Sequence, residues 1–131
     1  MANLLVATLL HYRREQKYLL HEFVVMPNHL HLIFTPAEVT LERAMQFVKG
    51  GFSYRAKREL GVQAEIWERG YVDHRIRDAN DYATHAAYIR QNPVKARLVK
   101  RAEDYPYSSA NVRVKLDPCP QRLKPSMLRR A

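Results

Sequence analysis

Two histidines separated by one residue, His29 and His31, stand in the run VVMPNHLHLIF, residues 24–34. Successive side chains of a strand point to opposite faces, so the two imidazoles share one face while Leu30, Leu32 and Phe34 share the other. Imidazole is a common metal ligand, and two on one face stand close enough to hold one ion between them. The same pattern also fits a solvated polar face that binds nothing, and both readings stay open on spacing alone.

The elements that must position these histidines can be read around them. Pro27-Asn28 is a turn signal, so residues 17–26 and 29–34 are expected to form the two arms of a hairpin. Residues 3–16 carry leucine and alanine at helical spacing and end in charge, which predicts a core-facing helix. A long helix is expected over residues 41–60, with Thr40 as N-cap, a bend or interruption at Gly50-Gly51, and Gly61 as its stop. Residues 64–76 predict a strand, centred near 66–71, followed by an irregular turn. A further helix is expected over residues 78–92, ended by Pro93. Its apolar stripe is Tyr82, Ala86 and Ile89. On a neighbouring stripe Asp81, His85, Tyr88 and Asn92 recur at i, i+4, i+7 and i+11. Taken alone, Tyr88 fits an ordinary amphipathic tyrosine at the rim of a core. From Val94 onward the four prolines Pro106, Pro118, Pro120 and Pro125 predict loop rather than long regular structure.

At 131 residues and 47% apolar content, the chain is long enough for one compact domain and short for two. The lone Cys119 excludes an internal disulfide framework and a cysteine-based zinc site, and fits a reducing cytosol. The apolar start NLLVATLL lacks a preceding basic residue and runs directly into HYRREQ, so it reads as a helix rather than a signal peptide. No run approaches the eighteen or so apolar residues of a membrane span, and no membrane partner is expected. The formal net charge of +9 is concentrated in the last third, where residues 89–131 carry 11 Lys and Arg against 3 Asp and Glu. That asymmetry is the footprint of a protein that meets a polyanion, most simply nucleic acid.

The segments MPNHLHLIF, KGGFSYRAKREL, IWERGYVDHRIRD, AAYIRQNPVKARLV and YPYSSA, in this order and spacing, resemble the REP-associated tyrosine transposases, a branch of the single-tyrosine HUH transposases. The resemblance covers about residues 3–110. It implies an α+β, ferredoxin-like HUH fold in which helices pack on an antiparallel sheet, and a domain over residues 1–110 followed by a basic, proline-rich tail over 111–131. It also implies an enzyme that cuts single-stranded DNA beside a hairpin and keeps the 5′ end on a tyrosine. By this resemblance His29 and His31 are metal ligands, Asn92 completes the metal site, and Tyr88 is the nucleophile. The basic residues Lys49, Arg55, Lys57, Arg58, Arg90, Lys95 and Arg97 would follow DNA phosphates. Removing residues beyond Ala110 is then expected to weaken hairpin binding and flatten its salt dependence.

The chemistry agrees with these roles. A phenol has a pKa near ~10, so Tyr88 needs help to lose its proton. His85, one turn earlier, is either that helper or a structural histidine. The expected cofactor is Mg²⁺ or Mn²⁺, with Zn²⁺ or Ni²⁺ able to occupy a two-imidazole site adventitiously. The expected location is the bacterial cytoplasm, alongside nucleoid DNA. The family opens with a strand ahead of its first helix, beside the His-x-His strand, whereas this sequence starts at the helix. A misplaced gene start or a truncated copy is expected, with exposed strand backbone able to pair with another chain. The alternative to an enzyme is therefore a truncated or domesticated protein that binds single-stranded or hairpin DNA without cutting it.

Overall fold

A computed structural model describes residues 2–27, 29–37, 39–61, 72–111, 115–118 and 126–130. The first element is helix α1 (Ala2–Arg14), whose Leu5, Thr8 and Leu9 are buried at helical spacing and whose last turn holds His11, Arg13 and Arg14 where cations oppose the helix dipole. Strands β1 (Tyr18–Met26) and β2 (His29–Pro36) follow as the expected hairpin, paired antiparallel out to Met26 and His29. Helix α2 (Leu41–Leu60) starts where the Thr40 side chain accepts the Arg43 amide, and stops at Gly61, whose φ of 66° suits a residue without a Cβ. Strand β3 (Val72–Arg75), helix α3 (Ala79–Lys95), a 3₁₀ turn (Ala102–Asp104) and strand β4 (Ser126–Arg130) follow among the described residues.

The sheet order is β1-β2-β4-β3, with every neighbouring pair antiparallel. Period-two alternation divides β2 between two cores. Leu30, Leu32 and Phe34 pack with Leu5 and Leu9 of α1 and with Ala44, Met45, Val48, Phe52 and Ala56 of α2. Ile33, on the opposite face, joins Val24, Met26, Ile76, Tyr105 and the buried Ile89 of α3. The leucine face thus carries α1 and α2, as expected, and the histidine face carries α3.

Four expectations are corrected. Helix α2 runs without interruption through Gly50-Gly51. A Cβ at Gly51 would lie 2.5 Å from the Tyr12 hydroxyl, so this glycine lets α1 pack close rather than breaking the helix. Helix α3 continues past Asn92 to Lys95, because Pro93 sits in its last turn, where it forfeits one amide bond while the Ala96 amide still reaches the Asn92 carbonyl. The strand predicted near residues 66–71 lies outside the described residues, and a described strand occurs at Val72–Arg75, where a turn was expected. Most consequential is the segment beyond Ala110, expected to be a tail. Its last strand, β4, enters the sheet between β2 and β3, with His31 opposite Arg129 and Leu32 opposite Leu128. The inner edge of the His-x-His strand, expected to be open for another chain, is paired.

The outer edge of β1 is covered as well. The Val25 amide donates to the Tyr107 carbonyl at 2.8 Å, the Ser109 amide to Phe23 at 2.9 Å, and the Asp117 amide to Leu20 at 3.0 Å. Asp117 is held in turn by Arg13 Nε at 2.9 Å and by the Leu20 amide at 2.9 Å. Buried His21 donates from Nδ1 to the Asp117 carbonyl, which can only accept, and so accepts the Thr35 hydroxyl at Nε2.

A chain ended at residue 125 is expected to lose at least ~10 °C of melting temperature, because the facing backbone groups of β2 and β3 lose their partners. Arg129→Gln with Arg130→Gln should melt like the parent; thermal unfolding followed by circular dichroism separates lost strand from lost charge.

Burial pushes the His21 imidazole below its ordinary value of 6.5, against the opposing hydrogen bond to Asp117. Between the folded and unfolded values the unfolded chain binds the extra proton, so this contribution is complete above about 6.5 and falls as pH drops below it. Urea midpoints compared at about pH 7.5 and 5.5 should therefore fall more steeply for the parent than for His21→Gln. Equal slopes would show that His21 does not set the acid sensitivity.

Candidate active site

The histidine face becomes a site because α3 lies across it. Asp78 caps the helix by accepting the Asp81 amide at 2.8 Å, and Asp81 accepts the Arg77 amide at 3.0 Å, which sets where the first turn begins. From that start Ile89 falls under the helix, fully buried against Val24 and Ile33, and Tyr88 falls on its flank. The Tyr88 ring meets His31 edge-on, with centroids 5.3 Å apart, and His31 meets His29 edge-on at 4.7 Å. His31 is 0% exposed and Tyr88 40%, so the cluster has a buried floor and a phenol open to solvent. Sequence spacing alone allowed Tyr88 to be a rim tyrosine; its ring is against His31.

His29 and His31 form a donor set for a divalent ion. A ring whose nitrogen lies ~2.1 Å from an ion has its centroid roughly 3.3 Å away, so centroids 4.7 Å apart subtend roughly a right angle, as two adjacent octahedral positions do. The spacing of the pair is that of two imidazoles on one ion. Among the described residues no group of three or more His, Cys, Asp or Glu could hold a metal, so further ligands would be amide, phosphate or water oxygens. Asn92 stands one turn beyond Tyr88 on α3 and is half-buried.

The remaining candidates divide by location. Lys95 Nζ lies 5.8 Å from the Tyr88 ring centroid, which brings one cation to the phenol. Arg97 is exposed just beyond α3, with φ of 60°. His85 directs Nδ1 to Asp81, 3.0 Å from its carboxylate and 2.8 Å from its carbonyl. Lys49, Arg55, Lys57 and Arg58 all belong to α2, on the other side of the sheet. There Arg55 pairs with Glu59 at 3.3 Å, and Arg58 lies 3.5 Å from the Tyr54 hydroxyl. The cations expected along DNA therefore occupy two surfaces rather than one.

Arg90, its side chain 54% exposed, reaches back from the flank of α3 to the sheet, its Nε donating to Glu22 at 2.8 Å. That bond, against the effect of burial, holds the guanidinium above its ordinary range. The other Glu22 oxygen accepts the Ser109 hydroxyl. Sequence reasoning missed Glu22 and Ser109. The available signal was a carboxylate inside the apolar strand YLLHEFVVM, which must be paired if buried.

Comparison with known proteins supplies the context for this arrangement. The family model described as "Transposase IS200 like" matches residues 2–92. A REP-associated tyrosine transposase of Escherichia coli is 31% identical over 99 residues, covering 74% of this chain. The chain spans 57% of that relative's length. The solved structure of a REP-associated tyrosine transposase bound to a REP hairpin matches with a TM-score of 0.67 at 30% identity, over 81% of this chain and 62% of that one.

Proposed function

The chain belongs to the family of IS200-like transposases, and from that premise we propose that it cleaves and rejoins single-stranded DNA beside a hairpin, with Tyr88 as nucleophile. The observation that carries this reading is the contact chain from half-exposed Tyr88 through buried His31 to His29. A hairpin as the DNA ligand is supported by the related transposase solved on a REP hairpin and by the chain's +9 charge.

In the proposed reaction the Tyr88 oxygen attacks the phosphorus as its proton leaves, the bond from phosphorus to the 3′ oxygen breaks, and that oxygen takes a proton from solvent. The 5′ phosphate stays as a tyrosyl ester. Attack by an incoming 3′ hydroxyl reverses the step and joins strands, the ester conserving the bond so that no nucleotide hydrolysis is needed. Mg²⁺ or Mn²⁺ held by His29, His31 and the Asn92 amide oxygen would neutralise charge on the phosphate and the leaving oxygen. The residues of the chain have their own tasks. Ile89, packed in the core beneath α3, keeps the helix that carries Tyr88 seated on the sheet. Lys95 adds positive charge beside the attacking group. His85, its ring oriented by Asp81, is a candidate proton acceptor.

Tyr88→Phe keeps the ring while removing its oxygen, so hairpin affinity should stay within about twofold while the covalent protein–DNA adduct disappears, a loss of at least ~10³-fold. His29→Ala should keep Tyr88 and lose the stimulation by Mn²⁺, together with Mn²⁺ binding measured by calorimetry. A labelled oligonucleotide carried through a denaturing gel reads the adduct. An adduct surviving Tyr88→Phe would make another tyrosine the nucleophile, and a parent protein that binds hairpins without any adduct would be the non-cutting DNA-binding alternative.

A further inference from the structure

We propose that Glu22 and Arg90 are positioning residues for Tyr88: their ion pair, braced by Ser109, sets the roll of α3 on the sheet and with it the seat of the Tyr88 ring against His31. The inference rests on Tyr88 being the reacting group, as argued above.

Consecutive helical residues are separated by about 100° around the axis. With Ile89 beneath α3, Tyr88 and Arg90 occupy opposite flanks. Tyr88 reaches His31 on β2, and Arg90 reaches Glu22 on β1, so the helix straddles the hairpin. The apolar packing of Ile89 against Val24 and Ile33 is non-directional and resists roll weakly. The ion pair is directional, because Arg90 Nε and Nη2 both approach Oε1 of a carboxylate whose side chain is only 6% exposed. Glu22 is itself immobilised. Its second oxygen takes the Ser109 hydroxyl, and the Ser109 Oγ also accepts the Phe23 amide at 3.1 Å.

The local backbone is built for this contact. Strand β1 has a register irregularity between Leu20 and Glu22, with His21 as the extra residue. Strict alternation would place Leu20 and Glu22 on one face. The irregularity lets Leu20 and Phe23 both enter the α1–α2 core while Glu22 turns to α3. A roll of about 10° at a side-chain radius of about 6 Å moves a group by roughly 1 Å, and such a misplacement can cost about a hundredfold in rate.

Glu22→Gln, Arg90→Met and Arg90→Lys test the proposal through the single-turnover rate of adduct formation, hairpin affinity with its salt dependence, and the ring-proton nuclear Overhauser effect between His31 and Tyr88 in metal-free protein. The rate should fall about tenfold for Glu22→Gln and up to about a hundredfold for Arg90→Met, with affinity and salt slope unchanged and the ring contact weakened. Arg90→Lys should recover part of both the rate and the ring contact. The proposal is overturned if folded Glu22→Gln keeps the parent rate and ring contact. It is equally overturned if Arg90→Met lowers the salt slope by about one while Glu22→Gln reacts normally, since Arg90 would then be a phosphate contact. If Arg90→Met fails to fold, Glu22→Gln decides. A parent that forms no Tyr88-dependent adduct would defeat the functional reading instead, and the ring contact in the metal-free variants would then decide the clamp by itself.

Discussion

The alternation of side chains along β2 is the constraint from which the rest of the molecule follows. One residue in two must enter the core of α1 and α2, and the intervening residues must then meet whatever covers the other face. Because Leu30, Leu32 and Phe34 secure the first core, His29 and His31 are held on the second face with no freedom to choose. A slip of one residue would bury the imidazoles among leucines and expose the leucines to α3. The stability of the apolar layer and the orientation of the polar pair are therefore one property of the strand. The site gains its rigidity from packing on the far side of the sheet.

Helix α3 gives that face its open-topped site, and its charges are divided in a way that net charge conceals. Arg90 and Lys95 are five residues apart on one helix, yet one lies against a buried carboxylate and the other beside an exposed phenol. The cations of α2 occupy the opposite layer. A long polyanion that touched both layers would have to pass around an edge of the sheet. The covering of the β1 edge by Tyr107, Ser109 and Asp117 makes that edge a folded wall rather than an open ladder.

Local signals were legible in the sequence and distant pairings were not. The hairpin, the face shared by His29 and His31, the cap at Thr40 and the stripe through Tyr88 all depend on residues within a turn or two of each other. Gly50-Gly51 and Pro93 carry intrinsic preferences against helix, and the fold overrides the first by packing and the second by position. Tyr12 fills the notch at Gly51, and Pro93 lies too near the end of α3 for its missing amide to break the helix. The Glu22–Arg90 pair joins residues far apart in sequence, and only the buried position of the carboxylate hinted at it. Strand β4 was hidden most completely, because a five-residue strand among prolines has no periodicity to detect and its partners lie near the start and middle of the chain.

The place of β4 has a consequence for the order of folding. Its ladder with β2 joins segments about a hundred residues apart in sequence, a separation that slows folding far more than it lowers final stability. During synthesis the hairpin and both helices of the leucine face emerge well before β4, so the inner flank of β2 waits for a strand made much later. The nascent chain therefore displays one open edge of a largely apolar strand until β4 emerges. Closure of the sheet is the event at which a finished molecule stops being an aggregation-prone intermediate.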